Sequence, residues 1–304
     1  MTSGARNHKN TTTDGSAFRW VLVSSTVMVV LYCVNALGAW IPELSEWAAR
    51  LTNVEGRAKE GGIEIVEALL WGFSAIAFGR VAFQLFRRSG GHPLRARLSG
   101  RLLWCGFFAL LAFMALGEET SWGQVYGWYS APESVAAVNA QEEFNLHNLD
   151  MAEIWGLDPD HPLVPYLGNL SHIINPVFYA FFLAAWVIVP LGLRRNRLRS
   201  RVWTGYPVPP PVVSSFFLAN FVAWLVIDRL LFDVGELFEL SISLTMAMVA
   251  GCAVAAWREE ARASQVQTAE KPEEPRLSPA AVLDDFSRHP GAAAQGETPT
   301  GVLD

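Results

Sequence analysis

The glutamates and histidines are the residues whose types and spacing point to chemistry. Glu64 and Glu67 are three apart, as are Glu236 and Glu239. On a helix, each pair presents two carboxylates to one face. Glu118 and Glu119 are adjacent and close an apolar run. The negative pole of a helix disfavours acids there, so a held proton, an arginine or a bound metal must offset the repulsion. Glu143 and His147 are four apart, a spacing that on a helix carries two metal ligands or an acid–imidazole pair. Read as helix, residues 139–150 place Asn139, Glu143, His147 and Asp150 on one stripe. Of the six histidines, His8 and His289 lie near the chain ends and His92 lies in a basic loop, leaving His147, His161 and His172. With the carboxylates these form a mixed N/O donor set of the kind that suits zinc or iron. No HExxH, CxxCH or Gly-rich nucleotide loop occurs. Structural roles compete with each of these. Acids at a helix N-terminus are favoured by its dipole, and Asp233 with Glu236 fits a capping box. Glu118 and Glu119 can end in water, Glu119 the more readily, and Asn175-Pro176 reads as an N-cap followed by proline at the first helical position.

The elements that must hold these groups are membrane helices. Of 304 residues, 51% are hydrophobic and only 17% charged, and mean hydropathy is +0.24. The 18 Phe and 12 Trp suit helices facing lipid and anchored at its interfaces. Six segments, near 19–40, 63–86, 102–117, 176–193, 212–232 and 237–256, are apolar enough to cross a bilayer core. The third reaches the interface by continuing through Glu118 and Glu119 to Trp122. The expected fold is therefore an all-α polytopic membrane bundle of about six transmembrane helices.

Arginine and lysine orient it. Arg6, Lys9 and Arg19 precede the first span, and Arg87, Arg88, Arg95, Arg97 and Arg101 fill the second loop. Arg194, Arg195, Arg197, Arg199 and Arg201 fill the fourth, and Arg258 and Arg262 follow the last span. The alternate loops hold chiefly Arg50, Arg57 and Lys59. The positive-inside rule thus predicts both termini in the cytoplasm. Cleavage after Ala36-Leu37-Gly38-Ala39, as in a signal peptide, would leave five spans in the same orientation. The organisation expected is a disordered N-terminus (1–18), a transmembrane domain (19–257) with an extracytoplasmic segment (121–171), and a disordered tail (258–304). Basic runs flank the helices instead of forming a patch, so nucleic acid is not an expected partner. Cys33, Cys105 and Cys252 all fall in apolar segments and read as buried free thiols.

Given that orientation, the acids, His172 with Asn175, and Asp228 with Arg229 all lie at the extracytoplasmic ends of the helices. Glu67 and Glu239 lie deepest, where an unpaired charge is expensive and should face the bundle interior. Arg229 is the expected intramembrane partner. The segment from Ser121 to Tyr129 is dense in Trp and Tyr, as suits a surface-lying stretch.

The strings Gly117-Glu118-Glu119-Thr120-Ser121-Trp122-Gly123-Gln124 and Asn139-Ala140-Gln141-Glu142-Glu143-Phe144-Asn145-Leu146-His147-Asn148 resemble a signature of uncharacterised polytopic membrane proteins of bacteria and archaea. There a GEExSWGQ string precedes an NxQxExNLHN string. The resemblance implies a multi-pass protein of a bacterial cytoplasmic membrane and names no reaction. A looser similarity is to alkaline ceramidase-like intramembrane hydrolases, which use serine, aspartate and three histidines around zinc. Ser121 and three histidines match that pattern, whereas six spans and the lack of a late histidine pair depart from it.

The expected function is hydrolysis of a lipid or lipid-linked substrate. Glu118 or Glu143 would be the general base and His147 a ligand or proton carrier. Trp122, Gln124 and Arg229 would hold the substrate. Glu67, His147, His172 and Glu239 would ligate a divalent metal such as zinc. A proton- or cation-coupled transporter and a scaffold or sensor without catalysis are the alternatives, and the expected partners are membrane lipids.

Overall fold

The computed structural model describes residues 11–41, 43–45, 62–89, 100–124, 126–158, 160–198, 203–231 and 234–269. Six long helices organise it: α1 (Thr11–Trp40), α2 (Gly62–Arg88), α3 (Gly100–Glu119), α4 (Ser171–Arg194), α5 (Pro211–Leu230) and α6 (Gly235–Ala269). Each contains a segment long and apolar enough to cross a membrane. Among the described residues there is no strand, only the isolated bridges Asn139–Leu149 and Asp150–Asn169. The architecture is the expected all-α polytopic bundle. The chain falls into two units, Met1–Arg258 and Glu259–Asp304. The first holds everything discussed below, and the second is described only over its helical residues 259–269.

Helix α6 is the central post: its most apolar stretch is 67% buried, against 22–39% for the other five. Its sequence explains why it can be surrounded. Ser241, Ser243 and Thr245 are fully buried, small enough for close helix approach, and each hydroxyl donates to a carbonyl of its own helix. Helix α2 runs along α3 in the same way, with Gly72 facing Leu116 and Gly79 facing Ala109. The lipid-type surface is plain on α1, where Phe18, Trp20, Leu22, Val23 and Val29 are each more than half exposed. In water that surface would be an aggregation liability; in hydrocarbon it is matched.

Aromatic rings fill the middle of the bundle. Phe78 of α2 stacks on Phe108 of α3 at 5.5 Å, and Phe108 stacks on Trp186 of α4 at 5.1 Å. Helix α4 is locally widened to π geometry over Ala184–Ile188. Pro190 follows and has no N–H to offer the Ala185 carbonyl in that register; the Tyr206 hydroxyl donates to it instead, at 2.6 Å.

Several expectations shift here. Helix α1 begins at Thr11, inside the segment expected to be disordered, and α6 continues past the expected end of its span to Ala269. Helix α4 begins at Ser171, so Pro176 lies inside it and Asn175 is not an N-cap. Pro176 lies past the first four N–H groups, which need no intrahelical acceptor, so it withholds one i→i−4 hydrogen bond from the His172 carbonyl. Cys33 is exposed on α1, while Cys105 is buried. Segments 1–10 and 270–304, with His8 and His289, lie outside the described residues. So do Arg50, Arg57, Lys59, His92, Arg95, Arg97, Arg199, Arg201 and Asp233, and with Asp233 the proposed capping box.

Candidate functional site

The C-terminal end of α3 and the N-terminal ends of α2, α4 and α6 meet at one end of the bundle. There they enclose a cavity of about 570 Å³. Trp71, Leu111, Met114 and Phe178 form an apolar wall, and Glu64, Glu118, Glu119, Glu236, Glu239 and His147 are among the polar groups that line it. Along α4, Phe178 is followed by Phe182 and Trp186, both fully buried. The cavity is therefore backed by packed rings.

The chain between α3 and α4 caps this end, and it is not the helix expected over 139–150. Short helical turns at Ser121–Gly123, Glu133–Ala136, Met151–Trp155 and Val164–Leu167 are joined by irregular backbone. Side chains replace a ladder. Asn139 accepts from the N–H groups of Gln141 (3.0 Å) and Glu143 (3.1 Å) and donates to the Asn145 carbonyl at 3.0 Å. Asn145 donates to Glu143 at 3.0 Å, and the Ser121 hydroxyl donates to the same carboxylate oxygen at 2.5 Å. Ser121, Asn139, Glu143, Asn145 and Asn148 are all buried, as irregular backbone under cover requires. Asp150 caps the turn at Met151–Trp155 by accepting from Glu153 N. The acid–imidazole stripe therefore does not form: Glu143 pairs with Ser121 and Asn145, not with His147.

A strained reversal lets this cap follow α3 directly. Ser121 (φ 44°) and Trp122 (φ 56°) are left-handed before Gly123 (φ 100°), at a cost of about 1 kcal/mol or more for each non-glycine residue. Trp122 folds back over Gly117, where an added Cβ would sit 2.7 Å from the indole. Its Nε1 donates to Glu118 Oε1 at 3.2 Å. Gln124 is also a tether: it accepts from Phe144 N at 2.8 Å and donates to the Glu142 carbonyl at 3.2 Å. Neither Trp122 nor Gln124 lines the cavity.

Glu118 faces the cap. Its Oε2 accepts from Leu146 N (2.7 Å) and His147 N (3.2 Å) and lies 3.3 Å from His147 Nδ1. So engaged, it orients His147 and is poorly placed to act as the base itself. With Nδ1 facing Glu118, Nε2 is the ring nitrogen that this carboxylate does not engage. Burial pulls the His147 pKa down. The hydrogen bond to Glu118 and the charges of Glu239, Glu119 and Glu118 outweigh it and raise the value above 6.5.

Glu119 turns the other way, into the bundle. One oxygen each from Glu67 of α2, Glu119 of α3 and Glu239 of α6 lie within 4.8 Å of one another. Glu67 has no exposed surface, and neither of its oxygens meets a hydrogen-bond donor. The group within its reach is another carboxylate, Glu119. Glu239 is steadied from α4 by the Tyr179 hydroxyl at 2.5 Å and the Asn175 amide at 3.3 Å. Tyr179 is in turn wedged edge-on between Trp224 and Phe238. Two unit charges at about 5 Å repel by roughly 3 kcal/mol at an effective dielectric near 20. Three bare carboxylates cannot persist here; protons or a cation must compensate them.

The structure thus joins Glu67, Glu119, Glu239, Glu118 and His147, and separates others from them. His172 is exposed and does not line the cavity, and the group that Glu67 and Glu239 form is completed by Glu119. His161 accepts from Leu163 N within its own turn, and Arg229 is exposed at the end of α5 and does not line the cavity. Asp228 accepts from Val234 N at 3.4 Å, joining α5 to α6. Tyr179 is absent from the sequence reading, and Glu119 enters it only as a helix-end acid beside Glu118, outside the expected metal ligands. Glu119 continues the buried stripe Cys105, Phe108, Ala112 at heptad spacing, and Tyr179 belongs to the buried stripe of α4 with Phe182 and Trp186. Those periodicities were the available signal.

Fold and site define a class: a six-helix, membrane-type bundle with a carboxylate- and imidazole-bearing cavity at one end. No protein-family model, curated protein or solved structure matches this chain.

Proposed function

We propose that this protein is a membrane-embedded hydrolase that acts on a lipid or lipid-linked substrate at the extracytoplasmic face of the membrane. The observation that carries the reading is the cavity itself: polar groups at one end of the bundle, an apolar wall beside them, and packed aromatic rings behind. A carrier needs polar lining that reaches both faces; a pocket closed at its back suits binding a headgroup while the tails stay in hydrocarbon. The basic residues Arg87, Arg88, Arg194 and Arg195 stand at the opposite ends of α2 and α4, which supports an outward-facing cavity under the positive-inside rule.

In this reading His147 Nε2 takes a proton from water as its oxygen bonds to the acyl or phosphoryl centre. The same nitrogen returns the proton to the leaving oxygen as the ester bond breaks. Glu118 holds the imidazole in the Nδ1–H tautomer and stabilises the imidazolium, a positioning role.

The test is reconstitution of purified protein with a panel of glycerophospholipids and isoprenoid-linked phosphates, followed by mass spectrometry of the products. Water-dependent cleavage of one class is expected, reduced about 10²–10⁴-fold by His147→Ala. Intact lipids throughout, with gradient-driven solute uptake by the same vesicles, would replace the hydrolase with a carrier.

A further inference from the structure

We infer that Glu67, Glu119 and Glu239 form a binding centre for one divalent cation of the hard, oxygen-preferring kind, such as Mn²⁺, Mg²⁺ or Ca²⁺. Two independent observations meet there. Three helices deliver one carboxylate oxygen each, and these oxygens lie within 4.8 Å of one another. Separately, Glu67 is a fully buried carboxylate with no donor at either oxygen, turned toward the other two acids. An acid placed only for packing would find a hydroxyl or an amide, as Glu239 does with Tyr179 and Asn175. An acid placed for a cation is left without a donor in this way.

The spacing fits. Cation–oxygen distances of about 2.1 to 2.5 Å place ligand oxygens at most about 4 to 5 Å apart across the ion. Glu119 and Glu239 also line the cavity, so water or a substrate oxygen can complete the shell from that side. Donor chemistry selects the metal: an all-carboxylate set favours Mg²⁺, Ca²⁺ or Mn²⁺ over zinc, which takes sulfur and nitrogen more readily. Glu119 joins Glu67 and Glu239 in this group, where the ligand set expected from sequence has His147 and His172. Tyr179 and Asn175 are positioning residues, holding Glu239 at the angle the site requires.

The centre deepens the hydrolase reading by giving the pocket a Lewis acid for an ester or phosphate oxygen, and it is tested without reference to activity. Full-length protein in nanodiscs is stripped with chelator and titrated with Mn²⁺, followed by electron paramagnetic resonance of the free ion and by thermal melting. About one Mn²⁺ per chain and a rise in Tm are expected. Glu67→Gln and Glu119→Gln should each weaken binding at least about tenfold, while Glu153→Gln, exposed in the cap, should leave it unchanged. A structural role alone would not produce the second expected signature: Mn²⁺ raises the Tm of the chelator-stripped parent and leaves that of Glu67→Gln unchanged. If a glutamine variant fails to fold, Glu119→Asp serves in its place, with weakened but saturable binding expected. No binding by the folded parent, or equal binding by the Glu67 and Glu119 variants, overturns the centre. Hydrolysis without Mn²⁺ binding would remove the metal and leave the hydrolase; binding without hydrolysis of any lipid would do the reverse.

Discussion

At the scale of single residues, adjacent Glu118 and Glu119 do opposite jobs because one helical step turns a side chain by about 100°. Glu118 is saturated by the cap and His147, whereas half-buried Glu119 joins Glu239 and fully buried Glu67. The pH dependence follows. With His147 as the base, kcat/KM should rise with pH through a midpoint above 6.5, since its neighbouring carboxylates raise the imidazole above its ordinary value. Glu118→Gln removes the hydrogen bond and one of those charges, so the midpoint should move to lower pH as the rate falls. Stability carries the matching sign. The contribution of the protonated pair is complete below about pH 6.5 and is lost as pH rises through the folded-state pKa. The gap in Tm between parent and His147→Ala should therefore narrow toward alkaline pH. His147 keeps 36% of its side-chain surface open, so solvent screens the pair and the gap is small. A pH profile unmoved by Glu118→Gln would contradict the assignment.

At the scale of elements, the cap depends on the reversal after α3. Helix propensity by itself predicts that Gly117→Ala stabilises α3, by about 1 kcal/mol. The Trp122 indole occupies the space a methyl would need, however, and overpacking costs about 1–3 kcal/mol. The structure therefore predicts a lower Tm, with changed tryptophan fluorescence as the indole leaves Glu118. A higher Tm would show that the indole does not rest on Gly117. The cap was also the element least legible in the sequence. Its Asn, Gln and Glu residues are compatible with helix at 3.6-residue spacing, and only the tertiary partners Ser121, Asn139 and Asn145 reveal that their side chains substitute for backbone pairing. The six helices were legible because hydrophobic length is a local property. That Glu67 and Glu239 are deep could be read for the same reason. Which of Glu118 and Glu119 would join them depends on helix rotation, recorded only in the weaker stripe Cys105, Phe108, Ala112. The faces of His172 and Arg229 depend on where α4 and α5 begin and end, which hydropathy places loosely.

At the scale of the whole molecule, aromatic packing holds one half of the bundle and paired acids open the other. Trp224 stacked on Phe238 at 4.9 Å supports Tyr179 beneath the cavity, while Phe108 and Trp186 close the bundle behind it. The central claim is that this cavity holds water and opens to the extracytoplasmic side. The most direct measurement is side-specific thiol labelling with a charged, impermeant maleimide, after replacing Cys33, Cys105 and Cys252 with alanine. Met114→Cys on the cavity wall should react from outside in intact cells, although it lies within a span. Ile76→Cys, 74% exposed on α2 and turned away from the face that carries Trp71, should face lipid and stay unreactive, and Val208→Cys should react only from the cytoplasmic side. Met114→Cys as inert as Ile76→Cys, or labelled only from within, would contradict the account.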